Sequence, residues 1–244
     1  MDLYQQQINK ELRTWQKKMQ RDAMLPGKLA KRMQDKINAI IPEKVHRAIT
    51  AAIKQTTRAV LTGAGFTCPA PVMEPDLLLL EARVREKIAF YKTTAATEGA
   101  ITGAGGILLG LADFPLFLGL KIKMLFDIAA LYGYNMNDYR ERVFILYIFQ
   151  ITFSSQQLRN KTYPVIADWD TYSQTLPEDI HQFDWRSFQQ EYRDYIDLAK
   201  LLQLMPGIGA VVGAVVNHRL TDQLGKSAMN AYRMRRFAAK QIIT

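Results

Sequence analysis

The side chains that could do chemistry are few and widely separated. The three histidines, His46, His181 and His218, lie far apart, and the single cysteine, Cys68, has no second thiol beside it. Metal sites draw ligands from close, regular spacings, and these residues offer none, so neither a metal nor another cofactor is expected. No Gly-x-Ser-x-Gly elbow is present to present a nucleophile. Three glycine motifs come close to phosphate loops and fail on one position each. Gly103-Ala-Gly105 has Leu108 where a dinucleotide fingerprint needs its third glycine, and Gly207-Ile-Gly209 has Val212 there, with Gly213 one place late. Gly225-Lys226-Ser227 ends like a P-loop, but Leu220 stands where the first glycine belongs. The acidic pairs Asp168/Asp170 and Glu178/Asp179 fall in polar sequence, where solvated surface accounts for them. What remains as a catalytic set is Asp113, Asn217 and His218, polar residues beside apolar segments that could in principle serve a hydrolase acting on lipid or peptide. No spacing argument joins them.

The elements that must position these residues read as helices throughout. Ile8, Leu12, Trp15 and Met19 recur at intervals of four, three and four, one face of a helix, and Leu25-Pro26-Gly27 ends it. Pro42 suits the first turn of a second helix, with Val45, Ile49, Ala52, Thr56 and Val60 as its stripe. Gly63–Pro75 holds three prolines and two glycines and is a loop. Beyond it Leu77, Leu80, Val84, Ile88, Tyr91 and Ala95 repeat every three or four residues. Asp138 and Glu141 form a capping box ahead of the uncharged run Val143–Leu158. Lys161–Pro177 is the least regular stretch and reads as a long connection with one short helix. Asp184 then caps a helix carrying Trp185, Phe188, Tyr192, Tyr195, Ala199 and Leu202. No segment alternates with period two, so the fold class is all-α, a single multi-helix bundle.

The centre is a glycine-rich helical hairpin, Gly99-AITGAGGILLGLADFPLFLGLKIKMLFDIAALY-Gly133. Gly99 and Gly103 lie four apart, as do Gly106 and Gly110, a glycine zipper that lets another helix backbone approach closely. The turn is expected at Asp113-Phe114-Pro115, with Asp113 capping the second helix, Pro115 in its first turn and Gly133 ending it. Asp113 and Pro115 divide the apolar run into arms too short to span a bilayer, which needs about 20 apolar residues. Lys121 and Lys123 flank it as interfacial anchors would. Gly99–Leu120, Val143–Leu158 and Leu201–Asn217 all approach the apolar length of a span, so two readings stay open: an apolar bundle core, or shallow insertion in a membrane.

The charge is uneven. Thirteen Lys/Arg against five Asp/Glu give residues 1–60 a balance of +8, and six against one give residues 218–244 a balance of +5. Residues 61–217 carry −4, within a total of +9. Basic ends around an acidic middle point to an anionic partner met by Lys17, Lys18, Arg21, Arg233, Arg235 and Arg236. Neither end carries a nucleic-acid reading motif or an aromatic single-strand platform. A membrane interface satisfies both the basic and the apolar segments, so anionic lipid is the expected partner. The N-terminal sequence is polar and lacks the apolar core of a secretory signal, and one cysteine suits a reducing compartment. The expected location is the cytoplasm, peripheral to the inner face of the cell membrane.

Three blocks carry a family resemblance: Ile41-PEKVHRAI-Thr50, the hairpin, and Leu204-MPGIGAVVGAVVNHRLTDQLGKSAMNAYRMRR-Phe237. In that order and at this length the chain resembles the EcsC family from about residue 40 to residue 240. The motif positions are Gly103, Gly106, Asp113, Pro115, Tyr132, Gly133, Pro206, Gly209, Gly213 and Asn217, all carried as structural. The expected organisation is a basic helical extension over residues 1–40 and an EcsC-like helical domain over residues 41–244. The resemblance implies an accessory role beside an ABC transporter, in a system associated with secretion and intramembrane proteolysis, and brings no catalytic residues. The expected function is thus a non-enzymatic, membrane-associated accessory protein. The alternatives are a soluble scaffold that binds a transporter or protease without lipid, and an uncharacterised hydrolase.

Overall fold

The three-four rhythm of the N-terminal sequence is realised as helix α1, Leu3–Met19, whose buried residues are Ile8, Leu12, Trp15 and Met19. A computed structural model describes residues 3–21, 43–104, 106–184, 188 and 210–243. Among them eight α-helices and one short 3-10 turn form an all-α bundle without strands. After α1 come α2 (Glu43–Thr62), α3 (Leu77–Ala104), α4 (Gly106–Leu131), α5 (Tyr139–Phe153), α6 (Gln156–Ala167), α7 (Trp169–Gln174) and α8 (Ala210–Ile243). The loop foreseen at Gly63–Pro75 joins α2 to α3, with positive φ at Gly63 and Gly65. Asp76 then caps α3 by accepting the Leu78 N–H at 2.8 Å. All six apolar positions of the α3 stripe are buried.

α3 and α8 are the long axis of the bundle. Four pairings run in opposite directions along them: Glu81 with Arg233, Ile88 with Gly225, Lys92 with Asp222, and Ala95 with Asn217. The two helices are therefore antiparallel, and paired from Glu81 to Ala95 on one and from Arg233 to Asn217 on the other. They approach closely at Gly225, where an added Cβ would lie 2.7, 2.8 and 2.9 Å from Ile88 Cγ1, Cδ1 and Cγ2. α5 is the central helix, buried on nearly every side from Tyr139 to Phe153. Its continuous apolar sequence follows from burial all round.

Several expectations change. α4 runs unbroken from Gly106 to Leu131 with Pro115 inside it, so no turn forms at Asp113-Phe114-Pro115 and Asp113 is not an N-cap. A proline there forgoes one backbone hydrogen bond and costs the helix about 3 kcal/mol. Burial of Phe114, Phe117 and Leu118, at about 1.5–3 kcal/mol each, outweighs that cost. α3 and α4 still pack along each other, with Tyr91 on α3 donating to Asp127 on α4 at 2.8 Å, but α3 extends to Ala104 and α4 begins at Gly106. Gly133 ends α4 as foreseen: its φ is +90°, and the Gly133 and Tyr134 N–H groups close onto the Ala130 and Ala129 carbonyls. Val72 O lies 3.4 Å from the position of a Gly133 Cβ, so the loop presses on the same glycine.

Lys161–Pro177, expected as a connection, is largely helical in α6 and α7, with Pro164 inside α6. Ile166 and Trp169, both buried, hold this segment in helical form against the core. The capping box half-closes: Asp138 accepts the Arg140 N–H at 2.8 Å, while Glu141 turns instead to a stronger cationic partner, Arg235. The helix after Asp184 and the break at Leu25-Pro26-Gly27 lie outside the described residues, as do Pro206 and Gly209. Among the described residues no helix is long and apolar enough to cross a membrane.

Gly225→Ala should destabilise the protein by about 1–3 kcal/mol, because buried, β-branched Ile88 cannot swing its three carbons clear. Urea unfolding of Gly225→Ala, Ile88→Ala and the double variant should give a double variant less destabilised than the sum of the singles.

Candidate functional site

The residues with functional potential are the charged groups, and the structure sorts them into an internal set and an exposed set. Arg233 is 2% exposed. Its Nε and Nη2 donate to Glu81 Oε1 and Oε2 at 2.7 and 2.6 Å, and Nη1 donates to Glu11 at 3.0 Å and to Asn230 at 3.2 Å. Glu81, 0% exposed, also accepts from the Tyr4 hydroxyl at 2.8 Å and from Arg85 at 3.2 Å. This network joins α1, α3 and α8. Burial works against the Arg233 charge, but the bonds to Glu81 prevail and hold its pKa above the ordinary value.

Arg235 makes a second internal site. It grips Glu141 with two bonds of 2.6 and 2.8 Å and reaches Asp170 at 3.4 Å. The guanidinium carbon lies 3.9 Å from the Tyr134 ring centre and 4.8 Å from that of Phe144. Around it Tyr132 and Tyr134 pack on Tyr232, Phe144 packs on Trp169, and Tyr147 bonds to Tyr172 through their hydroxyls at 2.8 Å. The Tyr132 and Tyr232 hydroxyls and the Trp169 indole N–H are buried without hydrogen-bond partners. Burial accordingly pushes both tyrosines up. Arg236 donates to the Glu74 and Pro75 carbonyls, fastening the loop before α3.

Arg233, Arg235 and Arg236, expected at an anionic surface, are thus taken up by internal partners. Lys17, Lys18 and Arg21 are exposed at the end of α1, where Gln156 donates to the Lys18 and Met19 carbonyls. Lys121 and Lys123 are internal ties and not interfacial anchors. Buried Lys121 lies 3.2 Å from the Phe117 ring centre and donates to Asn217 Oδ1 at 2.7 Å. Asn217 Nδ2 donates to the Ala95 carbonyl at 2.5 Å, so three helices meet at this amide. Lys123 binds Asp127 and donates to the Thr67 carbonyl at 3.3 Å. His218, beside Asn217, is exposed, and the side chain of Asp113 lies outside the described set. Asn217 is committed to helix packing, and nothing draws it and His218 onto a common point.

Sequence reasoning missed Arg142, which is buried beside Gly63 and donates to the Leu61, Met136 and Asn137 carbonyls. Burial holds its pKa below the ordinary arginine value. The available signal was its place in the first turn of an otherwise apolar helix. Glu81 was likewise hidden by its position among leucines.

This architecture is an all-α helical bundle threaded by buried arginines. The chain belongs to the EcsC protein family, which it matches over residues 6–237. It is similar to Protein EcsC of Bacillus subtilis, 39% identical over 231 residues that cover 94% of this chain and 95% of that protein. Uncharacterized protein YdbA of the same organism is 29% identical across an alignment of 256 residues, covering 96% and 93% of the two chains. No solved structure matches.

Arg233→Ala and Glu81→Ala should each cost about 3–5 kcal/mol by stranding a buried partner charge, whereas Arg233→Met with Glu81→Leu should cost far less than the sum, as denaturant titration would read. Asp222 supplies a pH test. Burial pushes its carboxyl up, but ion pairs with Lys226 and Lys92 at 2.7 and 2.8 Å outweigh this and hold it below its ordinary value. A depressed carboxylate stabilises at neutral pH and loses that contribution as pH falls through its folded-state value. The stability gap between the native chain and Asp222→Asn should therefore be widest near pH 7 and close below about pH 4, followed by urea midpoints across that range.

Proposed function

We propose that the protein is a non-enzymatic accessory protein of an ABC-transporter or secretion system, held at the cytoplasmic face of the cell membrane by exposed basic side chains. The observation that carries this reading is the division of the basic residues. Once the C-terminal arginines are assigned to internal carboxylates and carbonyls, Lys17, Lys18 and Arg21 remain exposed together at the end of a helix. Lys10 and Arg13 continue the exposed basic face toward its start. The C-terminal end of a helix favours cations, and anionic headgroups would meet them there at about 1 kcal/mol per basic side chain. The family resemblance supports the placement beside a transporter.

A second reading, a scaffold that meets a transporter or protease through protein contacts alone, draws on the same helix. The apolar stripe of α1 is already buried, so beyond the exposed Leu3 this helix offers its polar face. The two readings separate by flotation with vesicles of phosphatidylglycerol and phosphatidylcholine. Membrane attachment through charge predicts co-flotation with the anionic vesicles, loss at high salt, and about hundredfold weaker binding for Lys17→Glu/Lys18→Glu/Arg21→Glu. Absence of binding to anionic vesicles at low salt would leave the scaffold reading.

A further inference from the structure

Helix α1 divides its side chains between two opposed faces. At 3.6 residues per turn, Tyr4, Ile8, Leu12, Trp15 and Met19 fall within an arc of about 80°. Exposed Lys10, Arg13 and Lys17 fall within about 60° on the opposite side, with exposed Lys18 on the flank. Glu11 is the only acid among the described residues of this helix. A helix that is cationic on one side and carries tryptophan among the apolar residues of the other has the composition of one that lies in a membrane interface. The fold instead turns the apolar face inward, leaving Ile8 at 0% and Trp15 at 8% exposure. That burial leaves one group unsatisfied, because the Trp15 indole N–H has no hydrogen-bond partner. At the headgroup level of a bilayer a tryptophan keeps its ring out of water and still bonds its N–H.

The bonds that hold α1 in place are separable from those that satisfy the charges beneath it. Tyr4 donates to Glu81 at 2.8 Å and accepts from Arg85 at 2.9 Å. Glu11, its side chain 44% exposed, pairs with Arg233 at 3.0 Å. Gln16 reaches the Met234 sulfur at 3.3 Å, and Gln156 donates to the Lys18 and Met19 carbonyls. Without α1, Arg233 and Glu81 keep their mutual bonds of 2.7 and 2.6 Å, Arg233 keeps Asn230, and Glu81 keeps Arg85. While α1 covers Arg233, Glu11 serves its Nη1; once α1 has left, water does. Departure of the helix therefore strands neither buried charge.

We infer that the concealed apolar face of α1 is a membrane-binding surface: on an anionic bilayer the helix leaves the bundle and lies in the interface on Ile8, Leu12, Trp15 and Met19. The inference rests on the membrane reading above and adds the element that binds, the face it uses and the contacts it gives up. A helix is about 10–12 Å across, so with its apolar face about 5–10 Å deep the long basic side chains reach the headgroup phosphates. The apolar stripe exchanges one dry surface for another, and the anionic headgroups supply the difference between the two states.

Because Cys68 is the only cysteine, Cys68→Ser provides a background for paired labels. Thr14→Cys on α1 and Ala89→Cys on α3, both at exposed positions, carry nitroxides whose separation is read by double electron–electron resonance. The expected result is one narrow separation in solution and a longer, broader one with phosphatidylglycerol-containing vesicles. In vesicles with brominated acyl chains, tryptophan emission should be quenched, and Trp15→Phe should remove most of that quenching. Tyr4→Phe leaves the net charge unchanged and loosens only the docked helix, so it should bind anionic vesicles about threefold to tenfold more tightly. Flotation with the separation unchanged and Trp15 unquenched would overturn the inference and leave attachment through the docked helix standing. A long separation already present without lipid, or release without quenching, would overturn it as well. No flotation at all would remove the membrane reading and the inference together.

Discussion

Arg233 carries a full charge at a position 2% exposed, and much of the bundle is arranged to satisfy it. A buried guanidinium without a partner would cost several kcal/mol, so α3 must bring Glu81 opposite it and α1 must bring Glu11 alongside. The Tyr4 hydroxyl and Arg85 then complete the coordination of the Glu81 carboxylate. That requirement fixes the register of α3 against α8, and the register in turn places Gly225 against Ile88 and Asn217 against Ala95. Apolar burial supplies most of the driving force, but it is non-directional. The ion pair is directional, so it favours one of the many apolar alignments.

Arginine serves the bundle repeatedly in this way. Arg235 ties α8 to α5 and α7 through Glu141 and Asp170, Arg142 collects carbonyls at the end of α2 and the turn before α5, and Arg236 holds the loop before α3. A planar guanidinium can bond in several directions at once and stack on an aromatic ring, which a lysine ammonium cannot do to the same degree. Three of the six basic residues of the C-terminal segment, Arg233, Arg235 and Arg236, are therefore structural charges. The segment's charge count describes composition accurately and surface potential poorly.

The remaining basic residues gain meaning from that subtraction. Lys17, Lys18 and Arg21 stay exposed at the end of α1, while Arg233 and Arg235 are neutralised inside the bundle. Surface potential follows from which charges have already found partners, more than from how many there are. The glycines separate similarly. Gly225 marks a close helix contact and Gly133 a left-handed helix end, two distinct physical demands on the same residue type.

Local sequence determined the helical class, the buried faces of α1 and α3, the loop over Gly63–Pro75, the cap at Asp138 and the stop at Gly133, because each depends on spacing within a few residues or on one residue's backbone freedom. The same local logic misplaced the turn of the central hairpin, since a proline is a helix breaker until distant apolar contacts outweigh its lost hydrogen bond. It also assigned Arg233, Arg235 and Arg236 to an outer surface, because an arginine's exposure depends on carboxylates such as Glu81 that lie over a hundred residues away in the chain. Asn217, a motif position with no visible role in the sequence, became the amide joining α3, α4 and α8 only when those helices met. Residue types and periodicity thus set what each segment would become. Which charges stayed free to meet a partner was decided by the tertiary pairing, because electrostatic satisfaction of a buried group is a property of the neighbours that folding brings to it.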